Sequence, residues 1–286
     1  MRISVKVPNS NGVAANATAT FDLPIGRRYH KLVLQYGGTT FNLAHMTEIR
    51  VIANGEVIQR FSGTDRDMMN QFDRQAASAG ILVLPFDRVG LYQQNGEEAT
   101  AIQTGSKDPG TGVAITSFKL EVDIGGAIAP TLTVLAVQSD NDPGKPGPGL
   151  IRRIMQYSRA FTVAGVNEVS DLPKGTEGNR YIWINRAFFL TGNTLDLEIQ
   201  RSNFTIFQRT AATNSRLQTN GVRTPQANVY AFDPTEEGYD WEPVALFQSP
   251  NAQGIALPYQ DFRYKLNLSG AETVKIYAEY LGKLQG

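Results

Sequence analysis

Cysteine is absent from all 286 residues, which excludes disulfides, cysteine–zinc sites and cysteine nucleophiles. Histidine is nearly absent, with only His30 and His45, so an active centre built from clustered imidazoles has no material. Neither sign of charge is in excess. Twenty-seven basic and 27 acidic side chains cancel, and no block of like charge occurs. The basic stripe or tail that marks a nucleic-acid binder is therefore missing. Long hydrophobic runs are missing too. The most apolar stretch, IGGAIAPTLTVLAV at 124–137, is too short for a spanning helix and carries Pro130 and two threonines. It reads as a buried strand pair. The opening MRISVKVPNSNG has a charge at Arg2 but no apolar core of a secretory signal. These absences describe a soluble chain that folds where it is made.

What is present is ordinary globular composition, 41% hydrophobic and 19% charged. A chain of this length is long for one core, so two domains are expected. Most segments have the look of strands. YHKLVLQY lies between Gly26 and the pair Gly37–Gly38, and IRVIANGEVIQR at 49–60 reads as a hairpin. Its Asn54–Gly55 accepts the positive φ angles of a type I′ turn, and β-branched residues flank it. Asn95–Gly96 and Asn220–Gly221 are further turn signals. Short strands parted by Gly, Pro and Asn turns predict antiparallel sandwiches rather than parallel βαβ units.

Two stretches have helical spacing instead. In TDRDMMNQFDRQAASAG, Thr64 and Asp67 fit a capping box, Met68, Phe72 and Ala76 share one face, and Gly80 is a stop. FTIFQRTAATNSRLQTNG at 204–221 predicts a weaker helix ending at Gly221.

The midpoint stretch DNDPGKPGPG, 140–149, holds three prolines and three glycines and cannot be helix interior or central strand. The two halves around it share an order of features. Gln59 of EVIQR and Gln200 of LEIQR each stand 21 residues before a glycine, Gly80 and Gly221. Asp87 and Asp233 each stand 32 residues before a lysine, Lys119 and Lys265. This periodicity predicts one β-sandwich repeated in tandem, with an N-terminal domain at 1–139, an extended Pro/Gly linker at 140–149 and a C-terminal domain at 150–286.

No set of residues reads as a catalytic, cofactor-binding or metal site. His30 and His45 could form an acid–base or metal pair, but two unrelated hydrogen-bonding histidines is the preferred reading, since no adjacent carboxylate has ligand spacing. Asp65 and Asp67 suit a helix start, and Glu97–Glu98 follow a turn signal. Asp140 and Asp142 have hard-cation spacing, which would suit a structural calcium shared with another chain, yet Pro143 intervenes and the rest of a calcium loop is missing. The acidic loop DPTEEGYDWEP at 233–243, with Glu236 and Glu237, is a candidate partner for such an ion. GSKDPGTG at 105–112 lacks the Gly-Lys-Ser/Thr ending of a phosphate loop and reads as a hairpin loop. Asn16, Asn203 and Asn267 match the short glycosylation pattern, expected to be unused. Tyr29, Tyr36, Trp183 and Trp241 read as core or interface residues rather than a sugar-stacking platform.

The run VKVPNSNGVAANATATFDLPIGRRYHKLVLQYGGTTF, continued by AHMTEIRVIANGEVIQRFSG, resembles the start of major capsid proteins of corticovirus type. The resembling words are GVAANATATFDLPIG, YH and GGTTF, and none of them is catalytic. The resemblance implies an all-β double jelly roll of the tectivirus–adenovirus lineage: two tandem eight-stranded jelly rolls, each with a short helix between strands. It implies a homotrimer that forms a pseudo-hexagonal capsomer in an icosahedral double-stranded DNA bacteriophage with an internal membrane. The partners would be further copies of the chain, neighbouring capsomers, and penton or minor capsid proteins. A short N-terminal arm with Arg2 and Lys6 could reach inward toward anionic lipid or a neighbour, and no direct contact with nucleic acid is expected. Such a chain would be a virion component assembled in the host bacterial cytoplasm, with no enzymatic role and no cofactor. On the residues alone two alternatives stand: a two-domain carbohydrate- or receptor-binding module, and an enzyme on a jelly-roll scaffold, such as a glycan lyase or a cupin.

Overall fold

The computed structural model describes residues 1–8, 11–175 and 179–285, so Asn9 and Ser10 of the opening run lie outside the described residues. The chain forms two compact units, one of Met1–Met155 with Leu284–Gly286 and one of Gln156–Lys283.

Unit 1 runs β1 (Ile3–Lys6), β2 (Thr18–Asp22), β3 (Arg28–Gly37), β4 (Met46–Ala53), β5 (Glu56–Phe61), α1 (Gly63–Phe72), β6 (Ile81–Pro85), α2 (Gln94–Glu97), β7 (Ile102–Gln103), β8 (Phe118–Ile124) and β9 (Thr131–Ser139). One sheet has the order β1-β9-β3-β6, with β7 also on β3; the other has β5-β4-β8-β2. The cause is visible in the alternation of side chains. Phe118, Leu120, Val122 and Ile124 of β8 face inward with Lys119, Glu121 and Asp123 between them, and Leu132, Val134 and Ala136 of β9 alternate in the same way with the less buried Thr133 and Leu135. A period of two buries one face of each sheet against the other.

Unit 2 takes up the chain within β10 (Ile151–Phe161) and continues through β11 (Gly165–Val169), β12 (Trp183–Leu190), β13 (Thr194–Arg201), β14 (Phe204–Thr210), α3 (Ala211–Gln218), β15 (Val229–Phe232), β16 (Val244–Ala245), β17 (Phe262–Leu268) and β18 (Glu272–Gly282). Its strand orders are β15-β12-β18-β10 and β11-β17-β13-β14. Its core joins Leu197, Ile199, Leu266, Val274 and Ile276 with edge-to-face rings, Phe189 on Tyr264 at 5.6 Å and Phe207 on Phe232 at 4.9 Å.

Strand for strand the two orders are the same: β1-β9-β3-β6 recurs as β10-β18-β12-β15, and β5-β4-β8-β2 as β14-β13-β17-β11. This is the jelly-roll order, present twice, with α1 between β5 and β6 and α3 between β14 and β15. Matching turns mark the duplication. Asn54 and Gly55 have φ of 50° and 80°, and Ser202 and Asn203 have φ of 50° and 65°, so both hairpins close on type I′ geometry.

Several local expectations change. α1 starts at Gly63, with Ser62 rather than Thr64 as cap: the Ser62 hydroxyl accepts from Asp65 N at 3.2 Å and donates to the Asp65 carboxylate at 2.7 Å. It stops at Phe72 because Arg74 turns left-handed, with φ 59°, so Ala76 never joins the helical face. The expected helix at 204–221 is half strand. Thr205, Ile206 and Phe207 favour a pleated surface, Thr205 and Phe207 pair with β13, and the helix starts only after Thr210 caps Thr213 N at 3.2 Å. Asn95–Gly96 is helical, within α2, and not a hairpin turn. The words EVIQR and LEIQR are not counterparts, since one lies on the second strand of its hairpin, β5, and the other on the first, β13. Asp87 and Asp233 are counterparts, each two residues past or directly past the end of β6 or β15.

The stretch 140–149 is laid down rather than extended. Gln103 donates its side-chain amide to Lys145 O at 3.1 Å and accepts from Asp142 N at 2.7 Å, and Gly147 N donates to Ser106 Oγ at 3.0 Å. Gly147 and Gly149 take φ of 102° and 80°, which is where the stretch bends.

Candidate functional site

Two buried polar groupings lie at those two aspartates. In unit 1, the ladder Lys31↔Pro85 carries β3 past the end of β6 and brings His30 against Asp87. His30 Nδ1 lies 3.1 and 3.2 Å from the two Asp87 carboxylate oxygens, and Nε2 lies 3.0 Å from Ser139 Oγ. Arg2 donates to Asp87 at 3.1 Å and to Glu98 at 2.8 Å, Arg28 stands 3.4 Å from Glu98, and Arg152 donates to the Asp87 carbonyl at 3.0 Å. Burial pushes the Glu97 carboxyl up, helped by Asp87. Burial acts the same way on Glu98, but the Gln94 amide and then Arg2 reverse it and leave Glu98 lowered.

In unit 2, Arg186 on β12 lies 3.3 Å from Asp233, and Arg223 Nε donates to it at 2.7 Å. Thr235 donates both N and Oγ1 to the other carboxylate oxygen, at 2.9 and 2.7 Å. Burial would raise the Asp233 carboxyl, but Arg186, Arg223 and Thr235 outweigh it and hold the pKa at about 2. A carboxylate so depressed, and enclosed on all sides, is no acid or base near neutral pH. It is a structural anchor.

The remaining sequence candidates do not converge. His45 contacts its neighbour Asn42 at 3.0 Å, at the turn before β4. Asp65, in the first turn of α1, accepts from the Ser62 cap at 2.7 Å, and Asp67 accepts from Gln71 at 2.8 Å. Glu97 and Glu98 lie in and just after α2 rather than behind a hairpin turn. Asp140 pairs with Arg27, and Asp142 accepts from Gly144 N at 2.9 Å, so both turn toward their own chain. Among the described residues, no group of three or more His, Asp or Glu side chains is placed to hold a metal ion. In the acidic loop, Glu236 accepts from Arg209 at 2.6 Å, and burial with Glu237 close by raises Glu242. Asp108 in GSKDPGTG accepts from Gly110 N and Thr111 N at 2.8 and 3.1 Å, a loop that satisfies itself. Asn16 is exposed, Asn203 forms a hairpin turn, and Asn267 donates to Asp196 at 2.6 Å.

Arg2 lies just before β1, which pairs with β9, and its guanidinium is held by Asp87 and Glu98. Tyr29 is core and Tyr36 and Trp183 are half-buried, but Trp241 is 65% exposed and stacks on Tyr239 at 4.8 Å. Sequence reasoning missed that pair because nothing in a loop's composition fixes two rings in register.

Two family descriptions match the chain: "Viral coat protein P2 N-terminal domain" over residues 4–139 and "Viral coat protein P2 C-terminal domain" over residues 151–284. Major capsid protein P2 of Pseudoalteromonas phage PM2 is 24% identical over 285 residues, spanning 99% of this chain and 97% of that one. The crystal structure of the P2 protein from bacteriophage PM2 shares the fold with a TM-score of 0.83 at 20% identity, over 99% of this chain and 97% of the other. The Sulfolobus Turreted Icosahedral Virus structure follows at 0.67 and 10%, over 98% and 90%, and the PBCV-1 virus capsid at 0.63 and 10%, over 98% and 93%.

Proposed function

The chain belongs to the viral coat protein P2 family, and from that membership we propose that three copies close into a six-cornered capsomer. The chain is a structural coat protein, not an enzyme, and as such it self-associates and forms part of the virion. The finer reading is of a tile in the shell of an icosahedral double-stranded DNA phage, standing over an internal membrane. The tile meets neighbouring capsomers and penton or minor capsid proteins, and it is assembled in the bacterial cytoplasm. In this reading 140–149 joins domains 1–139 and 150–286.

The observation that carries the proposal is the repeated strand order. Two near-equivalent jelly rolls per chain give six in a trimer, which suits a hexagonal lattice while keeping only threefold symmetry. The balanced charge agrees with a shell that lipid separates from the genome, since such a shell has no phosphates to neutralise. Light scattering of the purified chain tests it: a stable mass near three times 31.3 kDa is expected, and a monomer that persists at high concentration overturns it.

The exposed Tyr239–Trp241 stack favours one second reading, a carbohydrate- or receptor-binding surface. Glycan binding that is lost in Trp241→Ala would support it; a glycan screen without a hit would remove it.

A further inference from the structure

The duplication is close, but its two copies leave different edges open. Both hairpins slip by one residue at the same place. Val51↔Gln59 is followed by Ile52↔Val57, and Ile199↔Phe207 by Gln200↔Thr205. The residue left out of the ladder is an isoleucine in each, Ile58 and Ile206. Ile58 is 0% exposed and Ile206 is 36% exposed. Two positions before the bulge, Glu56 in β5 corresponds to Phe204 in β14, and Phe204 is 75% exposed.

What lies along the strand explains the contrast. The outer side of β5 is occupied by the segment Ile151–Met155, where Ile154 pairs in parallel with Gln59. Gln59 donates its amide to the Arg152 carbonyl at 3.1 Å, and Arg153 reaches Glu56 at 2.7 Å. In its sheet β14 is the end strand, with no neighbour beyond it among the described residues. The segment that covers β5 opens the strand β10, and the counterpart of β10 is β1. β1 also ends its sheet, with Val5 42% exposed and Met1 bare. A free edge carrying a phenylalanine and an isoleucine is a template for another strand, and a coat chain in solution must either cover it or aggregate through it.

We propose that residues 1–6 of one copy lie along β14 of a second copy, in the parallel sense in which Ile151–Met155 lies along β5. Phe204 and Ile206 are then buried between copies, where the first has Glu56 and Ile58. The contact uses a different surface on each partner, so it propagates head to tail and ends only when a ring closes. This rests on the threefold capsomer reading above and names the surface that makes it.

The absence of cysteine allows a direct test in the full chain. Ile206→Cys is combined with Val5→Cys in one variant and with Ser4→Cys in another, covering two registers, and each is oxidised with a copper catalyst. A covalent ladder up to three chains on a non-reducing gel is expected from a double variant, and none from the single variants. In parallel, the Phe204→Asp/Ile206→Asp variant is expected to keep its circular dichroism and to associate about a hundredfold more weakly by light scattering, as loss of two central apolar contacts would cause. If the wild type is trimeric while neither double variant cross-links and the Asp variant stays trimeric, the β14 contact is wrong and the threefold reading survives. A wild type that remains monomeric at every concentration overturns both.

Discussion

Asp233 shows how little of a site can be read from its residue types. Its carboxylate is fully enclosed between Arg186, Arg223 and Thr235, with a pKa of about 2 against 3.8 for a free aspartate. Because the folded pKa is depressed, the stabilisation is complete above about pH 4 and is lost as pH falls through 3.8 toward 2. It amounts to roughly 2 kcal/mol. Asp233→Asn should remove that part of the acid dependence and also cost about 3–5 kcal/mol at neutral pH, because two buried guanidiniums lose their counter-charge. Urea unfolding at pH 7 and at pH 3 checks both; a variant as stable as the wild type at pH 7 contradicts the anchoring role. The sequence showed Asp87 and Asp233 as landmarks at matching spacing, but not their partners. His30 and Asp87 stand 57 positions apart and Arg186 and Asp233 stand 47 apart, and only strand pairing brings each couple together.

Turns were the most legible elements and strand identity the least. Asn54–Gly55 announced its hairpin because few residues take positive φ twice in succession, and the structure has 50° and 80° there. Ser202–Asn203 forms the same turn without that signature, so the second hairpin stayed hidden and 204–210 passed for helix. The helix expected over 204–221 misled in its first half because a short strand and a short helix both offer apolar residues three or four apart. The glycines separate backbone strain from crowding. Gly55 has φ of 80° with open space around it, so Gly55→Ala should cost about 1 kcal/mol from conformation alone. Gly38 has φ of 134°, and a Cβ there would stand 2.3 Å from the Ala129 carbonyl oxygen, so Gly38→Ala must shift backbone and should cost roughly 2–3 kcal/mol. Thermal unfolding of the two variants gives the order; equal losses would contradict it.

The duplication itself was legible as an order of features, hairpin, helix, strand and closing strands, and the match of Asp87 with Asp233 was correct. EVIQR and LEIQR were matched one strand out of register, since β-branched strands of one fold look alike and only the ladder says which edge each occupies. The resemblance to corticovirus coat proteins rested on words in the first part of the chain. The second unit contributed architecture alone, and both units match the family over residues 4–139 and 151–284. What no sequence pattern held was the asymmetry between copies, with β5 covered and β14 open, because that depends on what lies beside a strand rather than on the strand. The account's central claim is that paired jelly rolls, three chains together, behave as six near-equal units. Electron microscopy of the purified oligomer, averaged in end-on view, tests this most directly. Six lobes with threefold symmetry are expected, alternating between two slightly different outlines. A two-lobed particle, or a ring of any other lobe number, would contradict the claim.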